Sequence, residues 1–207
     1  DSYKNETIRY YVGGTLGITE LTATDTTVTI GGSAFKNVTI VAKNPVDKSA
    51  SATGIYLNPG ADVSVLGERI SITAINEYEA ARSRAIEFGV ANGHNQSKLV
   101  LGDTNTKTID IVSHSKGEAI GIFVSGGAGV SQNAHAQING GMLNVDVRGD
   151  SNGKLVSGIH VANNTANETM PSSGAVLEIN ADKTMIKSNG IGVSAYSNGT
   201  LKVKGDL

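Results

Sequence analysis

Histidine and serine are the residue types of this chain best suited to chemistry, because imidazole binds metal ions and serine serves as a nucleophile. The four histidines follow one another at irregular intervals, and three of them fall in predicted loops or at strand ends. We interpret them as solvated surface residues and predict no metal site and no cofactor. They are His94, His114, His135 and His160.

Two serines lie close to a histidine in the sequence, which is the arrangement that a hydrolase uses for a nucleophile and its base. Ser113 precedes His114, and Ser157 lies three residues before His160. No serine stands in the Gly-x-Ser-x-Gly turn that exposes such a nucleophile. In a chain this rich in serine we interpret these neighbours as accidental, and we predict no catalytic residue.

The element that must position any site is a four-residue phrase of glycine, isoleucine, a variable residue and an apolar residue. Its isoleucines recur every 31 to 37 residues. A period of this size indicates a repeat architecture, in which each unit buries its apolar face only by stacking on a neighbour. The four phrases and one looser copy are Gly54-Ile55-Tyr56-Leu57, Gly121-Ile122-Phe123-Val124, Gly158-Ile159-His160-Val161, Gly190-Ile191-Gly192-Val193 and Ala85-Ile86-Glu87-Phe88.

An apolar-x-apolar triplet follows every phrase and predicts a second short strand, because side chains alternate between the two faces of a strand. A third triplet completes some repeats, most clearly at Ile70 and Ile109. Three short strands in each repeat, with one face turned inward, predict a solenoid. The second triplets begin at Val63, Leu99, Leu143, Leu177 and Leu201.

These patterns predict an all-β fold, a parallel β-helix or β-solenoid with about three short strands per coil. Insertions at 125–141 and 162–174 should bulge at one edge, since each doubling of a surface loop costs only about 0.6 kcal/mol. We expect residues 1–53 to form an N-terminal cap and the first coils, with residues 1–17 out of phase with the repeat. Residues 54–207 should form the repeated coils of a single elongated domain, truncated at the C-terminus.

If the phrase isoleucines point inward, the residue after each of them points outward, and these residues form one row. We predict that the row and the two long loops bind a ligand, with exposed rings at Tyr56 and Phe123 receiving a sugar or a peptide. The alternative is an aromatic ladder covered by the loops. The row is Tyr56, Glu87, Phe123, His160 and Gly192, and the loop residues are Asn133, His135, Asn163 and Asn164.

Composition narrows the classes of function. A net charge of −2 with 17% charged residues argues against nucleic acid as a partner, because nucleic acid requires a basic surface. Aromatic residues make up only 4% of the chain, which favours a narrow core of stacked Val, Ile, Leu and Ala side chains. Cysteine is absent, so stability should come from strand stacking instead of disulfides.

The phrase, followed by a variable loop and a Gly-x-Leu-x-Val triplet, resembles the passenger region of type V autotransporters of Gram-negative bacteria. Residues 190–193 with 198–203, and residues 158–161 with 174–179, carry this resemblance, which extends over roughly residues 54–207. The resemblance implies a right-handed β-helix exported to the bacterial cell surface. It also implies a tether to the outer membrane through a C-terminal barrel that this chain does not include.

We therefore expect a non-catalytic surface adhesin that binds a host or bacterial surface protein or glycan and contributes to aggregation or biofilm. Homotypic self-association and a structural stalk are alternatives. A β-helical polysaccharide lyase or hydrolase is the alternative of another class, and it would need grouped acidic residues. Equivalent positions of adjacent repeats hold only Ser71 and Asp110, so we do not expect this activity.

Overall fold

The strands of this protein pair with strands that lie one repeat away in the sequence. The computed structural model describes residues 7–13, 16–18, 27–44, 50–57, 59–78, 81–89, 96–126, 134–150, 154–163, 174–196 and 199–207. Within these ranges it is all-β, with sixteen strands and no helix. The strands are β1 (Thr7–Gly13), β2 (Leu16–Ile18), β3 (Thr27–Gly31), β4 (Asn37–Asn44), β5 (Ala52–Leu57), β6 (Asp62–Leu66), β7 (Arg69–Asn76), β8 (Ser83–Phe88), β9 (Lys98–Leu101), β10 (Thr108–Ser115), β11 (Ala119–Gly126), β12 (Ala134–Arg148), β13 (Val156–Asn163), β14 (Ala175–Ser188), β15 (Ile191–Tyr196) and β16 (Gly199–Val203).

The paired strands named here are all parallel and form three ladders. The first ladder is β2-β5-β8-β11-β13-β15. The second is β3-β6-β9, continued by residues 134–140 of β12, residues 175–181 of β14, and β16. The third is β1-β4-β7-β10, continued by residues 142–148 of β12 and 183–188 of β14. Because β12 and β14 cross between ladders, the second and third ladders form one ten-stranded sheet, an arrangement compatible with a β-solenoid.

The core consists of rows of aliphatic side chains that stack from strand to strand. In the first ladder Ile55, Ile86, Ile122 and Ile159 are adjacent, and each is fully buried. Burying an isoleucine side chain contributes about 1.5–3 kcal/mol. The buried hydrophobic side chains of the described residues are all Ile, Val, Leu or Ala, as the low aromatic content predicted.

At Gly54 and Gly121 the next strand lies too close for a side chain, whereas Ala85 fills the equivalent position of the looser copy. A Cβ at Gly54 would lie 2.5 Å from the carbonyl oxygen of Ala85. A Cβ at Gly121 would lie 2.5 Å from the carbonyl oxygen of Gly158 and 2.7 Å from Cγ1 of Val145. The repeated glycine therefore lets parallel backbones approach each other while the core stays filled.

The predicted register of the fourth phrase is wrong by two residues. Gly192, not the first glycine of that phrase, lies opposite Gly158, because Val193 is the partner of Ile159. Ile191, predicted to point inward, is 47% exposed. The phrase could be fitted in two registers because glycine followed by an aliphatic β-branched residue occurs twice in succession here.

The prediction that residues 125–141 form a loop is wrong for residues 125–126, which end β11, and for residues 134–141, which belong to β12. Ala136 pairs with Leu99 in the second ladder, and Leu143 pairs with Ile109 in the third. Leu143 therefore does not begin a second strand as predicted. The true second strand was missed because a buried alanine occupies the position that other repeats give to valine or leucine.

The N-terminal strands continue the ladders. Residues 7–13 pair with residues 37–43 of β4, and Leu16 and Ile18 pair with Thr53 and Ile55 of β5. The prediction that residues 1–17 lie out of phase is wrong for these strands. Two successive tyrosines had hidden the alternation of apolar residues in β1.

Replacing Gly121 with alanine is expected to lower the free energy of unfolding by about 1–3 kcal/mol, because the new methyl group overpacks against backbone and core. Gly192→Ala is the matched control, since nothing lies within 4 Å of the position that its new methyl group would take and its φ is not left-handed. Its effect should stay within about 0.5 kcal/mol. Urea unfolding followed by circular dichroism measures both, and equal losses would contradict the close-approach explanation.

Candidate functional site

The predicted outward row of the first ladder is present for four of its five members. Tyr56, Glu87, Phe123 and His160 are adjacent in β5, β8, β11 and β13. The next position is occupied by Ser194 of β15, not by the predicted Gly192, because of the two-residue shift in register. We call Tyr56, Glu87, Phe123, His160 and Ser194 the phrase row.

Arg84 lies at the centre of the contacts beside the phrase row. Its Nη1 donates to Oε1 of Glu87 at 2.6 Å, and its Nε and Nη2 donate to Oε1 of Glu118 at 2.9 and 2.7 Å. The side chains of Arg84 and Glu87 are only 10% and 12% exposed. Sequence reasoning missed Arg84 and Glu118, although a charged residue directly before the one looser phrase was an available signal.

Both neighbouring strands supply a side chain that covers the Phe123 ring. The guanidinium carbon of Arg84 lies 4.3 Å from the ring centroid, which is a cation–π contact. The ring of His160 stacks on Phe123 with centroids 5.2 Å apart and planes inclined by 20°. Phe123 is therefore packed against Arg84 and His160 and is half-buried.

His160 is enclosed, with only 4% of its surface exposed. Its Nδ1 lies 2.8 Å from Oγ of Ser194, which hydrogen-bonds to it. Burial lowers the pKa of His160, the positive charge of Arg84 lowers it further, and Glu118 opposes this shift. The ring is therefore neutral at pH 7, and its role here is to join β13 to β15.

The serine and histidine neighbours of the sequence do not form a nucleophile and base. The hydroxyl of Ser157 donates to the carbonyl oxygen of Ile159 at 2.8 Å. The hydroxyl of Ser113 donates to the carbonyl oxygen of Ser83 at 2.9 Å inside the core. Both hydroxyls therefore satisfy buried backbone carbonyls.

A small cavity of about 190 Å³ lies beside the phrase row, lined in part by Tyr56, Pro59, Glu87 and Phe123. Tyr56 is half-buried there. The second carboxylate oxygen of Glu87, Oε2, is enclosed and has no hydrogen-bond partner. Phe123 contacts Arg84 and His160, and Tyr56 is the other aromatic ring that lines this cavity.

Of the predicted loop residues, His135 lies away from the phrase row, whereas Asn163 shares β13 with His160. His135 lies in β12 on the second ladder, where its Nε2 is 3.6 Å from Oε2 of Glu178. Asn163 is the last residue of β13. Asn133 and Asn164 lie outside the described residues.

The acidic and histidine side chains do not converge on one point within the described part of the chain. No group of three or more His, Asp or Glu side chains suited to a metal ion occurs among those residues. His114 is 3.7 Å from Asp146 and belongs to the third ladder, away from His135 and His160. No helix in these ranges is long and apolar enough to cross a bilayer.

A second candidate site, which sequence reasoning missed, is a groove of about 1110 Å³ along the bend between the second and third ladders. Its lining includes the polar turn 102–107 and the amide side chains of Asn139 and Asn180. The Nδ2 of Asn180 donates to Oδ1 of Asn139 at 3.1 Å, and the Nδ2 of Asn139 donates to the carbonyl oxygen of Gly102 at 3.2 Å. The available sequence signal was asparagine or glycine at equivalent positions of successive repeats.

The turn beside the groove is held rigidly. Gly102 has a φ of +75°, and a Cβ there would collide with the carbonyl oxygen of Asn139. The hydroxyl of Thr106 donates to the carbonyl oxygen of Gly67 at 2.7 Å, which ties the turn to the preceding repeat. The carboxylate of Asp103 accepts the backbone N–H of Asn105 at 2.8 Å. The groove therefore has a preorganised wall.

Comparison with known proteins assigns no relative to this chain: no family model, no curated protein and no solved structure matches it.

Replacing Arg84 with methionine is expected to lower the free energy of unfolding by about 2 kcal/mol or more, because Glu87 and Glu118 would lose their buried partner. Lys107→Met is the matched control. Its Nζ lies 2.9 Å from Glu68, but the Lys107 side chain is 67% exposed, so this change should cost less than about 1 kcal/mol. Denaturant unfolding of both variants tests this, and a smaller loss in Arg84→Met than in the control would contradict it.

The free energy of unfolding should fall as the pH drops from about 7.5 towards 5. The unfolded chain protonates His160 near its ordinary pKa of about 6.5, whereas the folded protein, with its lowered pKa, resists protonation. The pKa of Glu178 is lowered, mainly by the hydrogen bond from Lys202. The stability that ionised Glu178 contributes is therefore lost only below about pH 4.5, outside this pH range. His160→Gln should flatten the slope between pH 5 and 7.5, and an unchanged slope would count against this role.

Proposed function

We propose that this chain is a segment of a bacterial surface passenger of the autotransporter kind, wound as a right-handed parallel β-helix with about three short strands per coil. It would act as a non-catalytic adhesin at the cell surface, exported across the outer membrane, and bind a host or bacterial surface protein or glycan. The motif that carries the resemblance has two parts, which occupy consecutive strands of different ladders. Residues 158–161 lie in β13 of the first ladder, and residues 174–179 lead into β14, whose first half belongs to the second ladder. That order of strands is the one such a coil requires.

The observation that carries the adhesin proposal is the register of the ladders, which repeats polar side chains along the outside. On the third ladder Ser71, Asp110 and Asn144 are adjacent, and the amide of Asn144 donates to Asp110 at 2.8 Å. On the second ladder Lys202 lies 2.8 Å from Glu178. Neighbouring strands are about 4.8 Å apart, so a row offers similar contacts several times over.

Repetition on a stiff support is an effective basis for attachment. Once one contact forms, the next is effectively intramolecular, and overall binding exceeds that of each contact by orders of magnitude. A rigid ladder also avoids the cost of ordering its own backbone when it binds. Display of many copies at a cell surface would multiply the same effect.

The absence of catalysis is part of the proposal and is supported by the chemistry of the rows. The row of Ser71, Asp110 and Asn144 contains one carboxylate, which an amide already engages. Glycoside cleavage commonly uses a pair of carboxylates at a defined separation. Polysaccharide cleavage is the alternative of another class, and self-association and a stalk are the alternatives among non-enzymes.

Attachment of the purified protein to cells, matrix proteins and glycans is the experiment that tests the adhesin proposal. We expect attachment by the wild-type protein and no shortening of neutral or acidic polysaccharides. Deleting residues 127–133 and 164–173, next to β11, β12, β13 and β14, should weaken attachment by about tenfold, or 1.4 kcal/mol. Deletion of residues 91–95 is the control and should leave attachment unchanged.

Three other outcomes would overturn this proposal. Shortening of a polysaccharide would establish an enzyme. Salt-sensitive dimerisation in sedimentation, without attachment to any surface, would favour self-association. A folded protein that neither attaches nor self-associates would favour a stalk.

A further inference from the structure

The groove along the bend between the second and third ladders has a regular floor. Leu66 ends β6, Gly102 directly follows β9, and Asn139 and Asn180 are paired residues of β12 and β14; these four residues continue the register of the second ladder, and we call them the corner row. We propose that this groove binds a neutral linear oligosaccharide that lies along the direction of strand stacking. This inference rests on the adhesin proposal and gives it a ligand class.

The amides of the corner row retain hydrogen-bonding capacity after their mutual contacts are counted. Each asparagine has two N–H donors and a carbonyl oxygen with two lone pairs. Asn139 uses one donor on Gly102 and one lone pair on Asn180, and Asn180 uses one donor on Asn139. Both side chains are half-buried and keep some contact with solvent, so they can pair with hydroxyl groups, which both donate and accept.

The groove also contains an apolar strip beside the amides. Leu66 and Val100 line it and are partly exposed on the outer face of the second ladder. A pyranose ring has apolar C–H faces and a polar rim of hydroxyls. An apolar strip next to a row of amides matches both parts of such a ring, since ligand sites generally combine apolar walls with a few placed polar groups.

The charges of the groove select against acidic ligands. Two carboxylates, Asp103 and Asp182, line it. The lysine in its wall, Lys107, is engaged with Glu68 at 2.9 Å. A uronate polymer or a phosphate would face like charges, which disfavours binding. A neutral glycan meets no such penalty.

The spacing of the corner row disfavours a peptide. Its members repeat with the distance between neighbouring strands, about 4.8 Å. An extended peptide presents side chains to one face every two residues, or about 6.8 Å, and so falls out of step with the row. A groove of about 1110 Å³ is large enough for several sugar units.

Isothermal titration with neutral linear oligosaccharides of four to six units, such as cello-, malto- and chito-oligosaccharides, tests this inference. Wild type should bind at least one of them, and Asn180→Ala should weaken that binding by about tenfold through lost hydrogen bonds. Asn189→Ala is the matched control, because the Nδ2 of Asn189 also donates to the neighbouring repeat, to the carbonyl oxygen of Gly149 at 2.7 Å, but Asn189 lies outside the groove. Its affinity should stay within about twofold of the wild type. Thermal unfolding should confirm that both variants are folded.

The remaining outcomes separate this inference from the adhesin proposal. Absence of binding to every neutral oligosaccharide, stronger binding to oligogalacturonate or to an extended peptide, or equal binding by Asn180→Ala would overturn the groove as a neutral glycan site. If cell attachment persists in those cases, the adhesin proposal stands with a different site. If oligosaccharides bind as expected but no surface is attached, the groove site stands and the adhesin proposal fails.

Discussion

The close approach of parallel backbones in the first ladder is the constraint on which the rest of the structure depends. At Gly54, Gly121 and Gly158 the next strand places a carbonyl oxygen 2.5–2.6 Å from the position that a Cβ would take. The inner rows are filled by isoleucine side chains that are fully buried. Once this spacing is fixed, every outward residue is aligned with its equivalents in adjacent strands.

Because the strands are aligned, the outward side chains of one strand are surrounded by those of the neighbouring strands. Arg84 shows the consequence most clearly, because a nearly buried charge is costly unless its partners are equally well placed. Glu87 and Glu118 supply its hydrogen bonds, Phe123 covers its guanidinium face, and His160 stacks behind Phe123. Side chains thus link β8, β11, β13 and β15 in addition to their backbone hydrogen bonds.

The sequence allowed prediction of the features that depend on strong patterns. Strand alternation and the recurring glycine predicted an all-β repeat, the inward isoleucines at Ile55, Ile86, Ile122 and Ile159, and four members of the phrase row. Prediction failed where the pattern was weak or ambiguous, as at Ala136, whose small side chain gives little hydrophobic signal. The groove could not be predicted because it depends on a protruding turn and on cross-strand amide contacts, which periodicity does not reveal.

The two outward rows differ in how completely their polar groups are used, and this difference bears directly on recognition. In the phrase row His160 is bonded to Ser194 and Phe123 packs against Arg84 and His160, so a ligand at these two rings would have to displace contacts already made. In the corner row Asn180 uses one of its two N–H donors on Asn139, and its side-chain carbonyl oxygen remains available as an acceptor. A ligand gains the most binding free energy where it pairs with polar groups that are hydrated and held on a rigid support, because little conformational entropy is then lost on binding. The phrase row therefore holds side chains packed against one another at His160 and Phe123, whereas the two asparagines of the corner row keep amide groups that a ligand could reach without breaking such packing.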